Sequence, residues 1–114
     1  MLKDKTAIIT GSTSGIGLGI ARTLAEAGCH VMLNGIGDAG AIESERRRII
    51  DDFAVGAHFS GADLSKAVEV RGLIETATRE LGHVDILVNN AGIQFTAPLG
   101  DFPHEKGIQR IDAN

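Results

Sequence analysis

Four short apolar runs, within 6–10, 31–33, 57–60 and 85–88, alternate along the chain with three longer stretches of helical spacing. The first run, Ala7-Ile8-Ile9, shows no polar alternation, the pattern of a parallel strand covered on both faces. The stretch after it puts Ile16, Ile20, Leu24 and Ala27 on one helical side and Arg22 and Glu26 on the other, with Gly28 placed to cap it. The second run, Val31-Met32-Leu33, ends at Asn34 and passes into Gly35-Ile36-Gly37. A helix is expected from 39 to about 53, with Ile42, Ile49, Ile50 and Phe53 inward and Arg46, Arg47 and Arg48 outward. Glu43 stands four residues before Arg47 as its ion-pair partner. After the third run comes Gly61-Ala62-Asp63-Leu64-Ser65. Ser65 is the expected N-cap of a helix that buries Ala67, Val70, Leu73, Ile74, Ala77 and Leu81 and stops at Gly82. The fourth run leads into Asn89-Asn90-Ala91-Gly92, beyond which Pro98, Gly100 and Pro103 interrupt the pattern before an expected helix from His104.

The order is therefore strand and helix in alternation, with short connectors and no internal repeat. Right-handed crossovers turn that order into an α/β fold, a doubly wound parallel sheet with helices on both faces. Strand one lies between strands two and four, and a crevice opens above their carboxyl ends, the place where such sheets take ligands. Two unusual loops, Gly11 to Gly17 and Asn89 to Gly92, converge there. At 114 residues the chain makes one domain, 1–114, large enough to bury roughly two thirds of its unfolded surface.

The first of those loops, Thr10-Gly11-Ser12-Thr13-Ser14-Gly15-Ile16-Gly17, runs from a strand into a helix. The first helical turn leaves backbone N–H groups unpaired and carries the positive end of the helix dipole, so it attracts a phosphate or pyrophosphate. Triphosphate hydrolysis is disfavoured, because Gly-Lys-Ser/Thr is missing where the helix begins. Methyltransferases share a glycine loop after strand one but leave the Asn-Asn-Ala-Gly segment unexplained.

Charge and composition narrow the partners. A net charge of −4, with four Phe and neither Trp nor Tyr, argues against nucleic acid. The single cysteine, Cys29, is read as an inert, half-buried thiol, and the histidines His30, His58, His83 and His104 stand singly, without metal spacing and without an assigned catalytic role. No metal is expected. No apolar run approaches the roughly 18 residues of a membrane span, so no membrane partner and a cytoplasmic setting are the expectation.

The glycine loop, Asp63 after the third strand, and Asn89-Asn90-Ala91-Gly92 after the fourth together resemble the short-chain dehydrogenase/reductase family over essentially the whole chain. The resemblance implies a Rossmann-type fold, here its first four strands, and an oxidoreductase that moves a hydride between a nicotinamide cofactor and a hydroxyl-bearing carbon. It places the pyrophosphate on Gly11, Thr13, Ser14, Gly15, Ile16 and Gly17, and the adenine end by Asn34, Ile36, Asp63 and Leu64. Asp63 meets the adenine amine, and Asn90, Ala91 and Gly92 line the nicotinamide ribose. Within the family the narrower likeness is to bacterial dehydrogenases of short hydroxy acids, where the match to Gln94 helps hold the substrate carboxylate. An amide suits that task, since it donates to a carboxylate without burying a second charge.

NAD is expected over NADP, because neither Thr13-Ser14 nor Asn34-Gly35-Ile36-Gly37 supplies a base for a 2′-phosphate. Asn34 stands near the place of the usual acidic ribose partner. The family's serine, tyrosine and lysine follow its fifth strand, and this chain has no tyrosine at all. Asn114 falls at about the distance of the family's catalytic asparagine, although Gly107 replaces a tryptophan and Ile108 and Ile111 are out of phase. The leading expectation is the cofactor-binding part of a longer enzyme, homo-oligomeric in full and inactive as these 114 residues alone, with strand four left as an unpaired apolar edge. The alternatives are a stand-alone, non-catalytic dinucleotide-binding or sensor module, and a short-chain dehydrogenase of another alcohol or ketone.

Overall fold

The computed structural model describes residues 2–90 and the backbone of 107–110. In chain order the elements are β1 (Thr6–Ile9), α1 (Gly15–Glu26), β2 (His30–Asn34), α2 (Ala39–Phe53), β3 (Ala57–Ser60), α3 (Ala67–Leu81), β4 (Ile86–Asn89) and β5 (Gly107–Arg110). They form one sheet in the order β3-β2-β1-β4-β5. The first four strands are parallel, with β1 between β2 and β4 as the topology requires.

Successive strand residues face opposite sides of the sheet, and the core divides accordingly. Ala7, Ile9, Val31, Leu33 and Val88 pack with Ala21, Ala25 and Ile49 of α1 and α2. Ile8, Met32 and Leu87 pack on the other face with Val70, Leu73 and Ala77 of α3. Both faces of β1 and β2 are therefore covered, which is why their apolar runs lack alternation.

Several local expectations need correction. Ile20 and Leu24 of α1 pack against the core as expected, but the fully buried stripe is Gly17, Ala21 and Ala25, while Ala27 is exposed and Ile16 is 79% exposed. Small residues let the helix axis approach the sheet closely, and that geometry outweighs the larger side chains beside them. Glu43 pairs with Arg46, not Arg47, because Arg46 also reaches Ala57 O of β3 at 2.9 Å. That backbone contact selects the i,i+3 partner. Ser65 does not cap α3. Lys66 holds that position without a side-chain hydrogen bond, and the Ser65 hydroxyl turns to Asp63. Cys29 is fully buried, its thiol directed at Leu2 O and pushed up in pKa first by burial and then by the Asp85 charge.

The largest departure is at the far edge. Residues 107–110 form a strand antiparallel to β4, pairing Ile86 with Arg110 and Asn89 with Gly107, where part of a helix from His104 and an open edge were expected. Unpaired strand N–H and C=O groups along β4 favour the pairing. Residues 104–106 lie outside the described residues.

Candidate functional site

The carboxyl ends of β1 and β4 are joined directly. Thr10 N donates to Val88 O at 3.0 Å, and the Asn90 side-chain amide donates to Gly11 O at 3.1 Å. The second loop thus holds the first turn of the glycine loop in place. Gly17, in the first turn of α1, lies against the same two groups. A Cβ there would fall 2.0 Å from Gly11 O and 2.6 Å from the Asn90 amide nitrogen. Only glycine allows that approach.

The amino end of α1 is left open. Ser14 makes no side-chain cap, and no acidic residue stands in the first turn. A Cβ at Gly15 would meet nothing within 4 Å, and Gly11, Thr13 and Ser14 of this loop line an open cleft. An anion fits this cradle by charge and by room.

From this point a cleft of about 550 Å³ runs across the ends of β2 and β3, lined by Gly11, Thr13, Ser14, Asn34, Ile36, Asp63 and Leu64 among others. Gly35, Gly61 and Ala62 complete its wall, and none of the lining residues is basic. Ile16 and Ile36, at 79% and 89% exposure, are two of the large apolar side chains left in solvent beside it. Thr13 fixes the Ile36 turn through a hydrogen bond from its hydroxyl to Ile36 O at 3.2 Å. A separate cavity of about 350 Å³ beside Met32, Ile42, Phe59 and Glu80 shares no residue with either loop.

Asn34 is 2% exposed, and its amide nitrogen donates to Ser60 O at 3.0 Å and Ala62 O at 3.2 Å. Its backbone exchanges hydrogen bonds with Ser12, whose hydroxyl also donates to Ile9 O at 2.6 Å. Asn34 lines the cleft while its amide ties the ends of β2 and β3 together. Ser12, which sequence reasoning passed over, links the ends of β1 and β2. Its only signal was a small hydroxyl between Gly11 and Thr13.

Asp63 is exposed at the mouth. Its Oδ1 accepts from Ser65 N at 3.0 Å and from Ser65 Oγ at 2.7 Å. Those bonds, the side-chain one foremost, hold its pKa below the ordinary aspartate value. A carboxylate with a lower pKa folded than unfolded contributes fully above its unfolded value, and the contribution is lost as pH falls through the folded one. Ser65→Ala is therefore expected to raise the Asp63 titration midpoint, read from its carboxyl carbon resonance by NMR; an unmoved midpoint would contradict this account of the carboxylate. Ala91, Gly92, Gln94 and Asn114 lie outside the described residues.

Four parallel strands, an open helix end and a glycine loop held by Asn90 above β1 and β4 define a Rossmann-type nucleotide-binding fold. The sequence profile of the short chain dehydrogenase family matches residues 5–114, and the chain belongs to that family. It is 51% identical over 106 residues to the D-beta-hydroxybutyrate dehydrogenase of Cupriavidus necator, a match covering 93% of this chain and 40% of that protein. It is 43% identical over 110 residues to the enzyme of the same name from Rhizobium meliloti, covering 96% and 43% respectively. The crystal structure of L-sorbose reductase from Gluconobacter frateurii, complexed with NADPH and L-sorbose, superposes with a TM-score of 0.72 at 35% identity, covering 81% of this chain and 35% of that one. The chain spans about two fifths of the length of these relatives.

Proposed function

We propose that residues 1–114 are the NAD-binding part of a D-3-hydroxybutyrate dehydrogenase, an oxidoreductase of short hydroxy acids. The observation that carries the reading is the Asn90–Gly11 hydrogen bond, which brings both sequence-predicted loops to one crevice beside an uncapped helix end. When bound, the nicotinamide accepts or gives the hydride; the chain's own residues bind and orient it. Gly11 to Gly17 cradle the pyrophosphate, Asp63 and Leu64 receive the adenine end, and Asn90 with Ala91 and Gly92 faces the second ribose. Gln94 as a carboxylate partner and Asn114 as a catalytic residue rest on the family resemblance. So do a cytoplasmic setting and a homo-oligomeric full-length enzyme. Among the described residues no helix is long and apolar enough to cross a membrane.

The preference for NAD is supported by the cleft wall, which offers no cation to a 2′-phosphate although the L-sorbose reductase neighbour was solved with NADPH. Fluorescence titration of the chain with NADH and NADPH is expected to give the lower Kd for NADH. A tighter NADPH complex would overturn that assignment. The alternative reading is a non-catalytic dinucleotide-binding module. Reduction of NAD by D-3-hydroxybutyrate, assayed with the product of the whole gene, distinguishes the two.

A further inference from the structure

Asp63 is held by more than Ser65. Its C=O accepts from Lys66 N at 3.1 Å, and its N–H donates to Glu69 Oε1 at 2.9 Å. An acidic side chain in the first turn of a helix ordinarily reaches back to the N–H of the capping residue. Here Lys66, the N-cap of α3, already gives its N–H to Asp63 O, so the Glu69 carboxylate extends six residues back to Asp63 instead. Its other oxygen lies 3.7 Å from the Lys66 ammonium.

We propose that Glu69 is a positioning residue for the adenine end of the cleft, locking the loop that presents the Asp63 carboxylate. The inference rests on the dinucleotide reading above and assigns to α3 a part in binding that Glu69 performs without touching the ligand. With its N–H, C=O and Oδ1 all engaged, Asp63 keeps one backbone placement, and Oδ2 is the oxygen without a partner among the described residues. From the other side, Asn34 fixes Ala62 O and Ser60 Oγ accepts from Ala62 N. The loop therefore arrives preorganised, and preorganisation lowers the ordering cost of binding.

The test compares wild type, Glu69→Ala and Glu69→Gln by titration with AMP and with NADH, alongside thermal unfolding. The alanine variant is expected to raise both Kd values about tenfold, the loss of one hydrogen bond to a charged acceptor. The glutamine variant keeps an acceptor oxygen and is expected to remain within about threefold of wild type, as a neutral acceptor is weaker than a charged one. In an Asp63→Ala background, Glu69→Ala should add nothing to either Kd, which a general loss of helix stability would not reproduce. Unchanged AMP affinity in Glu69→Ala, or an equal loss in Glu69→Gln, would overturn the positioning role while leaving the dinucleotide reading intact. Wild type that binds neither AMP nor NADH would remove both.

Discussion

Gly17→Ala is expected to abolish measurable NADH binding and to lower stability by about 2–3 kcal/mol, the cost of forcing a side chain into a filled space. The added methyl would overlap the Gly11 carbonyl at 2.0 Å and the Asn90 amide nitrogen at 2.6 Å, and the first of these is backbone that cannot swing aside. Relief requires α1 to move away from β1 or the glycine loop to open, and either change disperses the N–H groups of the helix end. Gly19→Ala is the matched control on the same helix, where a Cβ meets nothing within 4 Å. There the ordinary helix propensity difference applies, and a gain of up to about 1 kcal/mol is expected. Chemical denaturation and NADH titration of the pair check both statements; a Gly17→Ala protein as stable and as tight-binding as wild type would refute the packing account.

Asn34→Asp is the second large effect. The substitution is nearly isosteric, yet it replaces a donor facing the carbonyls of Ser60 and Ala62 with an acceptor at a site 2% exposed. Two buried hydrogen bonds are lost and a charge is buried without a cation, a cost of about 3–5 kcal/mol near neutral pH. Burial and the facing oxygens raise the new carboxyl's pKa in the folded state, so its protonated form is the one tolerated. The penalty is therefore smallest below the unfolded aspartate value and grows as pH rises toward the raised folded one. Denaturant unfolding at acid and at neutral pH should show Asn34→Asp closer to wild type in acid. A variant equally stable at both would mean that the Asn34 amide does not hold the two strand ends.

Much of this architecture is legible in the sequence because its determinants are local. Uninterrupted runs such as Ala7-Ile8-Ile9 identify strands covered on both faces, and Gly28 and Gly82 follow the helix ends they mark. Topology then brings Gly11 to Gly17 and Asn90 together without further information. What was not legible depends on partners distant in sequence. The close seating of α1 follows from how near Gly17, Ala21 and Ala25 let the helix lie on the sheet, which a count of large apolar residues such as Ile20 and Leu24 does not show. Asn34 lines the cleft, where the sequence reading puts it, but the tie of its amide to β3 has no signal in the sequence. The reach of Glu69 to Asp63 has no signal in the sequence, because it follows from the Lys66 N–H being already engaged. The pairing of 107–110 with β4 has no periodic signal in four residues and is decided by the edge that it covers.

The central claim is that a dinucleotide rests against the amino end of α1 with Asn90 and Asp63 on either side of it. Amide chemical-shift mapping during NADH titration tests this most directly. The expected result is saturable shifts concentrated at Gly11 to Gly17, Ile36, Asp63, Leu64 and Asn90. Saturation with shifts confined to the opposite end of the sheet, around Lys3, Gly28 and Val55, or no shifts in folded protein, would contradict it.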